Sequence, residues 1–146
     1  MTKIISFFTA LFFAFALNAQ TPSVTGIWQA VNSNNEPLCL VELSELQQKI
    51  YGRISRLMNL PQESTCDICP GGLKNQPLVM MQIMERMAYA EGFYKGGQML
   101  DYITGKWHNC EMWLKDGDPN TLVVRTYTGP LYETRYWRRV SEISMK

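Results

Sequence analysis

The sequence predicts an all-β fold, a small antiparallel meander barrel with at most one or two short helices. Short segments that alternate apolar and polar residues are separated by clusters of glycine, proline, asparagine and aspartate, as strands joined by turns are. No crossover helices lie between these segments, so neighbouring strands are expected to pair antiparallel. Closure of about eight strands into a barrel removes the exposed sheet edges.

The predicted strands follow one another along most of the chain. They are Val24–Val31, Leu38–Leu43, Lys49–Leu57, Gly92–Tyr94, Gln98–Leu100, Trp107–Leu114, Thr121–Thr128 and Leu131–Val140. The turn cluster Asn32–Asn35 follows the first strand, and Asp116–Asn120 precedes the strand that begins at Thr121. Gly96–Gly97 predicts a hairpin turn between two short strands, and Gly129–Pro130 separates the last two strands.

Two stretches depart from the strand pattern. Asn59–Gly72 contains two cysteines, two prolines and two glycines. It is predicted to be a long loop, and loops of that length are usually functional or covalently pinned. Val79–Met87 has apolar residues at the spacing of one helical face, with Pro77 near its start, which predicts a short helix.

The first residues have the pattern of a cleavable export signal. Lys3 is followed by the apolar run Ile4–Leu17, and the composition turns polar after Ala19. The run is shorter than the roughly 20 apolar residues that a membrane span needs. We therefore expect residues 1–19 to be a removed signal peptide and residues 20–146 to form a single barrel domain, periplasmic or secreted. No second apolar run predicts a transmembrane segment in the mature chain.

Charge argues against a nucleic-acid partner. The chain has 14 Lys and Arg against 13 Asp and Glu. Lys3 is the one charged residue of the leader, so the two signs balance once the leader is removed. A mature chain without net positive charge has no evident basic face for phosphates. Its many aromatic residues are typical both of strands and of ligand pockets.

Residues at both ends of the predicted barrel resemble the calycin group, the lipocalins and their relatives. Gly26-Ile27-Trp28 begins the first strand, as the Gly-x-Trp motif of that group does. Arg138 and Arg139 end the last strand, where the group places an arginine over that tryptophan. A cation–π contact gives such a pair its physical reason.

A closer resemblance covers nearly the whole mature chain. In order along the chain, its pieces are Gly26-x-Trp28, Val41–Leu43, Tyr51–Ile54, Cys66-x-x-Cys69-Pro70-Gly71, Lys74–Pro77, Gly96–Asp101, Gly105-Lys106, Cys110, Val124-Arg125 and Trp137-x-Arg139. Together they resemble the bacterial family named domain of unknown function 2147. The resemblance implies an exported, lipocalin-like barrel closed by Gly26, Trp28, Trp137 and Arg139. The resemblance does not imply any particular biochemical activity. The chain departs from the family pattern at Tyr102, where proline is usual, and at Tyr132-Glu133.

Four cysteines remain after the leader, and the expected compartment favours disulfides. We predict a bond between Cys66 and Cys69 that pins the long loop. A catalytic redox motif is the second interpretation, but it normally needs a helix N-terminus in a βαβ setting. Cys39 and Cys110 fall on predicted inward faces. They are interpreted as buried free thiols, and a bond between them is the alternative.

A structural zinc site is the third interpretation of the cysteine pattern. Cys66 and Cys69 have ligand spacing, and His108 and Cys110 are two residues apart on one strand face. Against zinc, an oxidising compartment disfavours reduced thiolates. No cofactor is predicted, with zinc as the alternative.

The sequence assembles no catalytic set, because its single histidine leaves most hydrolytic triads without a base. The hypothesis is an exported, non-enzymatic barrel that binds a small, partly apolar ligand or an envelope partner at its open end. The alternative is a metal- or thiol-responsive envelope protein that uses the Cys66/Cys69 loop. The ligand-binding residues and the oligomeric state are not predicted.

Overall fold

Eight antiparallel strands form one closed barrel in the computed structural model, which describes residues 22–141. The strands are β1 (Gly26–Val31), β2 (Pro37–Leu46), β3 (Lys49–Leu57), β4 (Gln82–Ala90), β5 (Phe93–Asp101), β6 (Lys106–Lys115), β7 (Asp118–Thr128) and β8 (Leu131–Val140). Each strand pairs with the next one in the chain, and β1 pairs with β8 to close the ring. The predicted all-β meander barrel is therefore confirmed. The leader expected over residues 1–19 lies outside the described residues.

Helical structure in the described part of the chain is a single 3-10 turn, Gly71–Leu73. The helix predicted over Val79–Met87 is wrong, because this stretch leads into and forms β4. Ile83, Met84 and Met87 are all buried, and Arg86 has a positive φ of 56° that interrupts the alternation of the strand. That irregularity gives a strand the apolar spacing of a helix. No helix among residues 22–141 has the length and hydropathy to cross a membrane.

The predicted turn at Gly96–Gly97 is also wrong, because both glycines lie inside the continuous strand β5. The turn between β4 and β5 falls earlier, at Glu91 and Gly92. A Cβ atom on Gly97 would collide with the backbone carbonyl of Glu85, so the glycine permits close pairing of β4 and β5. The predicted turn Asp116–Asn120 is shorter than expected, because β7 already begins at Asp118.

The barrel interior is packed with apolar side chains rather than open along its length. Trp28, Val41, Ile54, Met84 and Met112 are each fully buried. These inward residues alternate with outward ones along their strands, as the pleat requires. The chain enters at the end where β1 begins, and the connections after β1, β3, β5 and β7 lie at the opposite end.

The long loop between β3 and β4 is an ordered cover at that opposite end. Its Cys66 backbone N–H donates to the Gln76 carbonyl at 2.9 Å, and Cys66, Cys69 and Leu78 are buried. The Tyr102 hydroxyl, at the turn between β5 and β6, donates to Asn59 Oδ1 at 3.3 Å. The loop therefore packs on the β5–β6 turn.

Candidate functional site

The end of the barrel where β1 begins is sealed by Arg139 and Trp28. The Arg139 guanidinium carbon lies 4.3 Å from the centroid of the Trp28 ring, and the indole Nε1 donates to the Val24 carbonyl at 2.8 Å. Arg139 also donates to the carbonyls of Thr25 at 2.8 Å and Ser23 at 2.7 Å. Gly26, at a φ of 124°, leaves room for the arginine, since a Cβ there would lie 3.0 Å from Arg139 Nη1. The Trp28 indole and the Arg139 guanidinium therefore both donate to backbone carbonyls of the chain itself.

The opposite end, which we call the mouth, contains an arginine in a different setting. Arg135 lies on the same inward face of β8 as Trp137, and 22% of its side chain is exposed. Its Nη2 donates to Glu133 Oε2 at 2.7 Å. Within residues 22–141, the buried polar side-chain atoms without a hydrogen-bond partner are Arg135 Nε and Trp137 Nε1. An unpaired buried donor costs about 1–3 kcal/mol, so both donors favour an acceptor from outside.

A small chamber lies inside the mouth, and both residues line it. The rest of its wall is mainly apolar: Ala30, Val31, Leu38, Cys39, Ile83, Met99, Leu100 and Tyr102, with Asp101 as a second charged residue. The chamber gives a water-sized molecule about 30 Å³ of room. It is much smaller than the open hollows beside it, so it suits a small chemical group.

Two larger hollows flank the chamber and open to solvent. One, of about 360 Å³, lies against Asn59 and Ile103, and the other, of about 260 Å³, lies against Lys106 and His108. Arg135 and Asp101 line both hollows as well as the chamber. Arg135 is therefore the cation at the junction of all three spaces.

The thiol in the chamber is a poor nucleophile. Burial raises the pKa of Cys39 to about 12, although a hydrogen bond with Tyr102 opposes the shift. Burial, followed by the neighbouring Cys39, also raises the pKa of Tyr102. Burial and the charge of Glu111 raise the pKa of the other free thiol, Cys110, to about 12. Because thiolates and not thiols attack electrophiles, these cysteines act as small apolar side chains at neutral pH.

The predicted cysteine sites are separated in the fold. Cys66 and Cys69 form a disulfide, with Cα atoms 5.4 Å apart, and Cys39 and Cys110 are free and buried. His108 Nδ1 lies 3.2 Å from the Tyr127 carbonyl oxygen, to which it donates. Residues 22–141 bring together no three His, Cys, Asp or Glu side chains as a metal site requires. The alternative set Cys66, Cys69, His108 and Cys110 is therefore not assembled.

The family follows from a match over most of the barrel. Residues 26–139 match the family model described as "Uncharacterized protein conserved in bacteria (DUF2147)". The chain belongs to the DUF2147 family. A solved structure of a Helicobacter pylori protein, described as belonging to the lipocalin family, is similar in fold, with a TM-score of 0.72. The two chains are 19% identical, and the similarity covers 86% of this chain and 88% of the other. Among curated proteins, none matches significantly.

Sequence reasoning missed the mouth of this DUF2147 barrel, although part of the signal was present. Arg135 is two residues from Trp137 and four from Arg139, so strand alternation places all three on one face. A charged residue at an inward position of a barrel strand is unusual, and it could have indicated the site. Tyr102, noted only as a departure from the family pattern, lines the chamber and bonds to the loop through Asn59.

Proposed function

We propose that this DUF2147 protein is an exported, non-enzymatic barrel that binds a small, partly apolar ligand at its mouth. The observation that carries the proposal is the contrast between a sealed end and a mouth with an apolar chamber and one inward arginine. Small-molecule sites are usually concave and mainly apolar, with a few polar groups that orient the ligand.

Exposed apolar side chains around the mouth support this proposal. Met58, Leu60 and Ile68 on the long loop and Ile103 on the β5–β6 turn are all exposed. Ile68 lies against Gly105, and Asn59 bonds to Tyr102, so the loop and the turn form one rim. Exposed apolar groups that gather at the edge of a cavity are typical of ligand or partner sites.

Binding fits the chemistry of the mouth better than catalysis does. The chamber thiol of Cys39 has a raised pKa, and His108 uses Nδ1 to bond to the backbone of Tyr127. The alternative of a thiol-responsive protein has less support, because Cys66 and Cys69 are both buried. An envelope partner at the same rim is the competing occupant.

Export remains part of the proposal. It is supported by the apolar run Ile4–Leu17 behind Lys3 and by a disulfide in a bacterial protein. Intact-mass and N-terminal analysis of the exported protein should give a chain that starts at or near Gln20. A mature protein that still carries residues 1–19 would contradict export.

A neutral fluorescent amphiphile, N-phenyl-1-naphthylamine, tests the binding site directly. We expect its fluorescence to rise on addition of the processed protein, and the double variant Leu60→Ser, Ile103→Ser to weaken binding several-fold. Leu46→Ser is the matched control, because Leu46 is apolar and even more exposed but lies at the β2–β3 turn, at the sealed end. If the probe does not bind, or if both variants bind like the parent, the mouth is not an apolar ligand site.

A further inference from the structure

Two residues that line the chamber of the mouth each carry an unpaired donor. Trp137 is 2% exposed, and its indole N–H has no partner among the described residues. Arg135 Nε is buried and unpaired in the same way, and both residues line the chamber. Native proteins pair nearly all buried polar groups, so each exception needs an explanation. Two such exceptions in one wall indicate a site for an acceptor group.

The charges around the chamber decide which acceptor fits. Arg135 is paired with Glu133, whose side chain is 63% exposed, so water can solvate this carboxylate when another one takes its place. Asp101 accepts the backbone N–H groups of Ile103 at 2.9 Å and Thr104 at 3.3 Å, so its charge is held in the turn. One cation with one displaceable partner favours a single negative charge over a double one.

We infer that the ligand is an amphiphilic monocarboxylate that binds head-first, with its carboxylate accepting hydrogen bonds from Arg135 and Trp137. The inference rests on the proposed function and names the ligand class for that site. A carboxylate has two oxygens, so one group satisfies both donors, and charged acceptors make the stronger hydrogen bonds.

The size of the chamber sets this orientation. It is the smallest of the three spaces at the mouth, and the two residues with unpaired donors line it, so the compact carboxylate lies there. The apolar body then lies outside the chamber, against the exposed side chains of Leu60 and Ile103 at the rim. A phosphate head group is disfavoured, because it is bulkier and its second charge would have no second cation among the residues that line the chamber.

Octanoate is the probe for this inference, and octanol, methyl octanoate and octyl phosphate are its controls. Titration calorimetry on the processed protein should show that octanoate binds more tightly than all three. Arg135→Gln should weaken octanoate binding about tenfold or more, as the loss of a charged hydrogen-bond donor does. Arg138→Gln is the matched control, because Arg138 lies on the outer face of the same strand and 71% of its side chain is exposed. It should leave the affinity unchanged.

Indole resonances give a second measurement that does not depend on affinity. The signal of the Trp137 N–H, assigned by its absence in Trp137→Phe, should shift when octanoate binds. The Trp28 N–H is an internal reference, because it already donates to the Val24 carbonyl. Its signal should stay in place.

The outcomes separate this inference from the proposed function. If octanol binds as tightly as octanoate, or Arg135→Gln leaves octanoate binding intact, the carboxylate assignment is overturned while N-phenyl-1-naphthylamine still reports a ligand site. Tighter binding of octyl phosphate would also overturn it. If neither octanoate nor the neutral probe binds, both the inference and the proposed function are wrong.

Discussion

Arg139 and Arg135 lie four residues apart on the same inward face of β8, yet they occupy opposite environments. Arg139 donates to three backbone carbonyls, of Ser23, Thr25 and Pro119, and stacks on Trp28. Arg135 contacts one exposed carboxylate and leaves a buried Nε without a partner. An arginine with backbone partners thus seals one end of the barrel, whereas the arginine at the other end keeps an unpaired hydrogen-bond donor. Pairing, rather than residue type, distinguishes a structural arginine from one available to a ligand.

The largest expected effect is at the sealed end. Trp28→Ala removes a fully buried ring, and truncation of such a residue costs about 3–5 kcal/mol. That loss is a large share of the about 5–15 kcal/mol by which native domains are stable, so the variant should unfold or melt far below the parent in a thermal scan. Tyr136→Ala, at an exposed aromatic on the outer face of β8, is the control. A Trp28→Ala protein that melts within a few degrees of the parent would show that the seal is not needed for folding.

The two arginines themselves give the next test. Arg139→Ala should cost about 2–3 kcal/mol, because it removes charged hydrogen bonds and a cation–π contact. Arg135→Leu should leave the free energy of unfolding unchanged or raise it by up to about 1 kcal/mol, since it removes an unpaired buried donor. Urea denaturation of both variants measures the difference. Equal destabilisation by the two substitutions would remove the distinction between the sealed end and the mouth.

A smaller loss of stability than at Arg139 is expected at the rim of the mouth. The double variant Cys66→Ser, Cys69→Ser should stay folded and lose about 2 kcal/mol or less, because the disulfide closes a short ring. Hydrogen exchange should become faster within residues 58–81 and stay unchanged in β1 and β8. Peptide mapping of the parent protein without reductant identifies which cysteines are bonded to each other. A bond from Cys66 to Cys39 or Cys110, or one zinc per chain, would contradict the pinned loop.

The sequence predicted the fold wherever strand alternation is regular. The bounds of Lys49–Leu57 and Leu131–Val140 match β3 and β8, and Gly129-Pro130 marks the turn before β8. It failed at β4 and β5, where Arg86 and Gly96 have positive φ angles and interrupt the period inside a continuous strand. Local pattern cannot distinguish such an interruption from a helix or a turn.

The chamber could not be predicted from the sequence, for a different reason. Its wall joins Ala30 from β1, Cys39 from β2, Met99 from β5 and Trp137 from β8. Apart from the consecutive pair β1 and β2, these strands are far apart in the sequence and surround one space only when the ring closes, so no local spacing predicts the chamber. The unpaired state of Arg135 Nε likewise depends on which acceptors the folded barrel brings near it.

Closure of the ring between β1 and β8 also sets the order in which the barrel can form. The hydrogen bond from Arg139 to the Thr25 carbonyl spans 114 residues, whereas every other strand pair joins neighbours along the chain. Contacts of such long sequence separation form slowly, because the loop they close must be ordered first. We therefore expect the seven hairpin pairings to precede the seam. A chain delivered from its N-terminus, whether from the ribosome or through a membrane, keeps an open sheet until Leu131–Val140 has emerged.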